Sequence, residues 1–89
     1  MAQFEHNSQK FGYLNLDDLE GVQKALSKLG FDPGKIDGVD GPNTQKAVRA
    51  FQAHATIDID GKVGKQTRQA LKDELASKSG DVPAERNAT

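Results

Sequence analysis

The sequence predicts an all-α fold, a compact three-helix domain with two duplicated D-G-x-x-G loop-helix units. Three observations predict it. Apolar residues return every three or four positions in three stretches, the spacing of one buried helix face. Between those stretches the chain is rich in Asp, Gly and Pro, the residues of tight turns. The third observation is a repeat: IDGVDGPNTQKAV, Ile36 to Val48, is written again as IDGKVGKQTRQAL, Ile59 to Leu71.

Residues 1–15 hold Phe4, Phe11, Tyr13 and Leu14 among polar residues without helical spacing, which reads as an irregular lead, mobile over its first ten residues and packed down near Tyr13. From Leu16 the pattern changes. Leu19, Val22, Leu26 and Leu29 share a helical face, Asp17 and Glu20 stand at capping-box spacing, and Gly30 supplies a stop. The loop FDPGKIDGVDG follows, with Ile36 and Val39 as its inward anchors. Pro42 suits a first helical position, and Thr44, Ala47, Val48 and Phe51 then align, giving a second helix from Pro42 to His54. A second loop, TIDIDGKVG, leads to a third helix from Lys65 into the 70s with Thr67, Ala70, Leu71 and Leu75 inward. Ile36 and Ile59, each just before its D-G, are expected to tuck both loops against a common core. Residues 77–89 are small and polar, and read as a flexible tail. The domain proper is therefore residues 16–76.

Composition bounds the function. With 89 residues, 35% apolar and 28% charged, the chain fits one small domain, and its short length demands a compact, helix-rich fold or help from partners. Cysteine is absent, which removes disulfides, thiolate metal ligands and a Cys nucleophile together. A formal charge of -1 argues against a general nucleic-acid binder, which needs a basic surplus for phosphate contacts. No window approaches the about 18 apolar residues of a membrane span. Neither nucleic acid nor membrane is expected as a partner. The start, MAQFEHNSQKFGYLNL, lacks the basic and then apolar run of an export signal, so delivery by a partner, a phage or a secretion machine is expected.

Catalysis finds no support in the residues. The histidines, His6 and His54, fall in the lead and at a helix end, without the spacing of metal ligands or of an acid and base pair. The D-x-D-G of Asp58 to Gly61 invites a calcium loop, but placing Gly61 at the sixth position puts Thr56 at the first and Thr67 at the twelfth, where a bidentate Glu belongs. The same register puts Pro33 and Lys35 at ligand positions of the first copy. No metal and no cofactor are expected.

VQKALSKLGFDPGKIDGVDGPNTQKAVRAFQ, Val22 to Gln52, followed by IDGKVGKQTRQAL, resembles the small three-helix peptidoglycan-binding domain of cell-wall hydrolases, phage lysins and spore-cortex enzymes. The resemblance runs from about Leu16 to Leu75. It implies a non-catalytic module that recognises peptidoglycan, by its glycan or its stem peptide, and anchors or targets a larger assembly or associated hydrolase to the cell wall or periplasm. Three residues, at two places, depart from the family pattern. Thr56 stands where a Gly usually ends the second helix, and the second copy has Lys65 and Arg68 where a Pro and an aromatic are common.

The residues around the two copies give the candidate ligand-binding set: Asp37, Asp40, Asn43, Thr44, Gln45, Arg49 and Gln52 in the first, and Asp60, Lys62, Lys65 and Arg68 in the second. Loop backbones, helix N-termini and these side chains together would line a shallow groove for carboxylates, amides and hydroxyls. For Asp37 and Asp60 the competing reading is structural, each carboxylate accepting backbone N–H bonds within its turn. Thr44 and Thr67 would likewise close helix N-termini. Lys65, Arg68 and Lys72 share a helical face, a pattern usual for a solvated surface. Phe31 and Phe51 read as core, and Tyr13 as the aromatic available for stacking on a sugar. The alternative function is a structural or interaction subunit of a phage-like or injection assembly, the same fold binding a protein partner through its apolar lead.

Overall fold

The structure, a computed structural model, describes residues 3–79. Five elements follow one another: strands β1 (Glu5–Ser8) and β2 (Gly12–Asn15), then helices α1 (Leu19–Lys28), α2 (Pro42–Ala55) and α3 (Lys65–Ser79). The three helices are those the periodicity predicts. Pro42 opens α2 as expected, and α1 begins three residues later than Leu16, which is buried in the core without being helical.

The lead is not irregular over its described residues. It folds into an antiparallel hairpin pairing Glu5 with Asn15 and His6 with Leu14. Side chains alternate across a strand, and the inward positions of β1 are His6 and Ser8, both buried. They satisfy each other, His6 Nε2 lying 2.7 Å from Ser8 Oγ, while Ser8 Oγ also accepts the Phe11 N–H at 3.1 Å. β2 and its continuation turn Leu14 and Leu16 into the core. At the other end α3 carries Ser77, Lys78 and Ser79, placed in the tail by the sequence reading, as a last helical turn. The rest of that tail and residues 1–2 lie outside the described residues.

Four of the five elements, all but β1, feed one apolar core. Leu14 and Leu16 from the hairpin segment meet Val22, Ala25 and Leu26 of α1, Ala47, Val48 and Phe51 of α2, and Leu71 and Leu75 of α3. Burying each large aliphatic or aromatic side chain there contributes about 1.5–3 kcal/mol. Phe31 packs its ring edge-on against Phe51, with centroids 5.6 Å apart. The hairpin and α1 touch backbone to backbone, since a Cβ at Gly21 would collide with the Asn15 carbonyl oxygen.

Two local expectations are corrected. The pair Asp17 and Glu20 forms no capping box. Asp18, not Asp17, is the N-cap residue and makes no side-chain cap bond, and the Asp17 carboxylate is instead engaged by the start of the hairpin segment, accepting the N–H groups of Gln3 at 2.7 Å and Phe4 at 2.8 Å. Nor do apolar side chains anchor the loops. Ile36 is 42% exposed, Val39 62% and Ile59 58%, and polar groups described next hold the turns in their place.

Candidate functional site

Each copy of the repeat is organised by a buried glutamine from the preceding helix. Gln23 of α1 and Gln52 of α2 are 0% and 1% exposed. A buried primary amide must find partners for both its oxygen and its NH2 group, and here the loop supplies them. The Gln23 Oε1 accepts the N–H groups of Asp37 at 3.0 Å and Gly38 at 2.8 Å. Its Nε2 donates to Thr44 Oγ1 at 3.0 Å, to the Val39 carbonyl at 3.1 Å and to Asp37 Oδ1 at 3.4 Å. Gln52 repeats this pattern bond for bond. Its Oε1 accepts from Asp60 N and Gly61 N, and its Nε2 donates to Asp60 Oδ1, the Lys62 carbonyl and Thr67 Oγ1, at distances from 2.9 to 3.1 Å.

Both turns then close on themselves. Asp37 Oδ1 accepts the Val39 N–H at 3.0 Å, and Asp60 Oδ1 the Lys62 N–H at 2.9 Å. These N–H groups favour the ionised form and hold each carboxyl below its ordinary value, with help from the glutamine amide. Gly38 and Gly61, at φ of 76° and 72°, take the left-handed conformation the turn requires. Thr44 and Thr67 donate their hydroxyls back to the carbonyls of Pro33 at 3.0 Å and Lys62 at 3.3 Å. Each loop is thus tied to both flanking helices.

This geometry sorts the candidate residues. Gln52 and Thr44 are buried with their polar atoms in use, and Asp37 and Asp60 serve the turns. Arg68 is also occupied. Its guanidinium donates to the backbone carbonyls of Leu16 at 2.8 Å, Val63 at 2.7 Å and Asp17 at 3.3 Å, so it joins α3 to the second loop and to the end of the hairpin segment. Asp40, Asn43, Arg49, Lys62 and Lys65 are exposed and Gln45 is half-buried. None of these six side chains forms a hydrogen bond or ion pair among the described residues. The Arg49 side chain lies over Gly61, Asn43 stands against Gly34, and Lys65 lines a cleft with Phe4, Asp17 and Arg68.

Thr56, which stands where a Gly usually ends the second helix, adopts the conformation of that Gly. It stands at φ 60° in the left-handed region, at the end of α2, and the next residue bonds back, Ile57 N to Gln52 O at 3.1 Å. Gly30, at φ 93°, does the same after α1, with Phe31 N on Leu26 O at 2.8 Å. Both exits share the arrangement in which an αL residue ends the helix.

Two quasi-equivalent grooves follow from this repetition, each lying between a helix exit and the next helix. The first, of about 450 Å³, is lined by Phe31, Asp32, Asn43, Lys46, Ala47 and Ala50 among others. The second, of about 670 Å³, places Ile57 opposite Gln66, Gln69, Ala70 and Asp73 and is flanked by His54 and Glu74. His54 Nε2 lies 3.0 Å from Glu74 Oε2 and tilts against Phe31. His6, by contrast, is not in a mobile segment but buried on the hairpin.

Gln23 stands in the motif that carries the resemblance but was given no role by the sequence, and Lys46 was not among the candidates. The signal for Gln23 was present. It sits four residues after Leu19 and three before Leu26, so it lies on the apolar stripe of α1, and a polar residue there has to be paired.

Comparison with known proteins agrees with the motif pattern. A family described as a peptidoglycan binding domain matches residues 9–71. A spore cortex-lytic enzyme of Bacillus subtilis is 45% identical over 56 residues, covering 62% of this chain and 18% of the enzyme. That of Oceanobacillus iheyensis is 44% identical over 55 residues, covering 62% of this chain and 20% of the enzyme. The carboxy-terminal processing protease CtpB of Bacillus subtilis is 32% identical over 68 residues, 76% of this chain and 14% of the protease. The chain thus corresponds to less than a quarter of the length of each of these relatives. No solved structure matches.

Proposed function

Because the chain belongs to the peptidoglycan binding domain family, we propose that it is a non-catalytic module that binds bacterial cell-wall peptidoglycan and holds a larger assembly there. The observation that carries this reading is the family match over residues 9–71, which includes both glutamine-centred loops. Similar segments in a processing protease and in spore cortex-lytic enzymes, each a small part of a longer chain, suit a portable binding unit joined to different activities. An associated hydrolase is the natural cargo.

The buried glutamines support the same reading physically. They fix the two loops without using the outward side chains of Asp40, Asn43, Gln45, Arg49, Lys62 and Lys65, which stay available for the hydroxyls, amides and carboxylates of the wall. A rigid, prepaid loop reduces the ordering cost of binding. A shallow site on a domain this small still gives modest affinity, which repeated wall ligands raise through multivalency.

Sedimentation with purified peptidoglycan sacculi tests the proposal. The folded chain should pellet with the sacculi in proportion to wall added and be released by soluble muropeptides. A folded chain that stays in the supernatant at every wall concentration overturns it.

A further inference from the structure

The two grooves share a backbone plan but differ in charge, and this difference points to a ligand. In the first groove Lys46 and Asp32 line the same concavity, yet among the described residues neither forms an ion pair with the other or with anything else. Asp32 is held in place because its Oδ1 accepts the Gly34 N–H at 2.9 Å, which leaves Oδ2 open. The same groove is lined by Phe31, its ring fixed edge-on against Phe51, and by the small side chains Ala47 and Ala50. Asn43 adds an unpaired amide.

We propose that this groove is the subsite for a zwitterionic amino-carboxylate group, one carbon bearing both an ammonium and a carboxylate, at the end of an aliphatic chain. The carboxylate meets Lys46, the ammonium meets Asp32, and the aliphatic chain lies over Phe31 and the alanines. Such a group ends the side chain of a diamino-dicarboxylic acid in an uncross-linked wall peptide, so the inference rests on the wall-binding reading and deepens it. The second groove is an internal control. At the place of Lys46 it carries Gln69, at the place of Ala50 it carries Asp73, and the His54 ring is already engaged by Glu74, so a carboxylate has no free cation there.

An amide-resolved NMR titration of the whole chain with three probes tests this. The probes are an alanyl-γ-glutamyl-meso-diaminopimelate tripeptide, the same tripeptide ending in lysine, and the N-acetylglucosaminyl-N-acetylmuramic acid disaccharide. Only the first should shift the amides of Phe31, Lys46, Ala47 and Ala50. Lys46→Ala, on an exposed face of α2, should weaken that binding at least roughly tenfold, and Gln69→Ala should leave it unchanged. Equal binding of the lysine tripeptide, occupation of the groove by the disaccharide, or an unaffected Lys46→Ala variant overturns the subsite. Retained sedimentation with sacculi beside a silent groove overturns the subsite alone, whereas no sedimentation overturns both readings.

Discussion

Gln52 shows how much one side chain can organise. Its amide meets five groups on the second loop and the start of α3, and an isosteric apolar residue would leave them to be rehydrated or stranded. At about 1–3 kcal/mol for each buried group left unpaired, with loop relaxation recovering part, Gln52→Leu should lose about 2–4 kcal/mol in urea unfolding. A loss near zero would mean that the network is ornamental. Thr56 offers the opposite case. A β-branched residue held at φ 60° costs on the order of 1 kcal/mol relative to glycine, partly offset by the entropy glycine gains when unfolded. Thr56→Gly should therefore stabilise the fold by about 0.5–1 kcal/mol, raising the thermal midpoint by a few degrees. The special conformation was legible because the family pattern has a Gly where Thr56 stands. The role of Gln52 was not, because residue type alone cannot tell a ligand-facing amide from one turned into the core.

At the scale of elements, the helices were legible and the hairpin was not, for one reason. Helical faces in α1, α2 and α3 are marked by Leu, Val, Ala and Phe at regular spacing, whereas β1 turns His6 and Ser8 inward, so no apolar alternation marks the strand. Loop anchoring failed similarly: Ile36 and Ile59 look like anchors by hydropathy, but the D-G turns are held from beneath by glutamines and leave those side chains outside. What fastens the hairpin is also polar and distant in sequence. Asp17 accepts Gln3 N and Phe4 N, Leu16 N donates to Phe4 O at 2.8 Å, and Arg68 reaches back from α3 to Leu16 O and Asp17 O. Arg68→Ala should thus loosen the hairpin before the helices. Hydrogen exchange should quicken at least roughly tenfold from Phe4 to Leu16, with α2 changing little. Uniform quickening across all elements would show instead that the clamp supports the whole core.

Across the whole molecule, three aspartates accept backbone N–H groups, Asp17 from the distant start of the hairpin segment and Asp37 and Asp60 within their own turns, and all three are held below the ordinary carboxylate value. Gln3 N–H is the largest cause at Asp17, Val39 N–H at Asp37 and Lys62 N–H at Asp60. In the unfolded chain these groups titrate near 3.9. A carboxyl that binds its proton more weakly when folded favours the folded state once it is ionised, so the contribution is complete above about pH 5. It is lost as pH falls through 4 towards the lower folded values. Stability should therefore be level around neutrality and drop on acidification. Asp37 and Asp60 allow a clean test, since both use Oδ1 alone as acceptor, and asparagine keeps an acceptor oxygen there while removing the titration. Chemical unfolding of the Asp37→Asn, Asp60→Asn double variant across pH 2 to 7 should show a shallower acid limb, with most of its deficit against the unaltered chain confined to pH above 4. Identical acid limbs would place the acid sensitivity in other carboxylates and leave these two turns held by geometry rather than by charge.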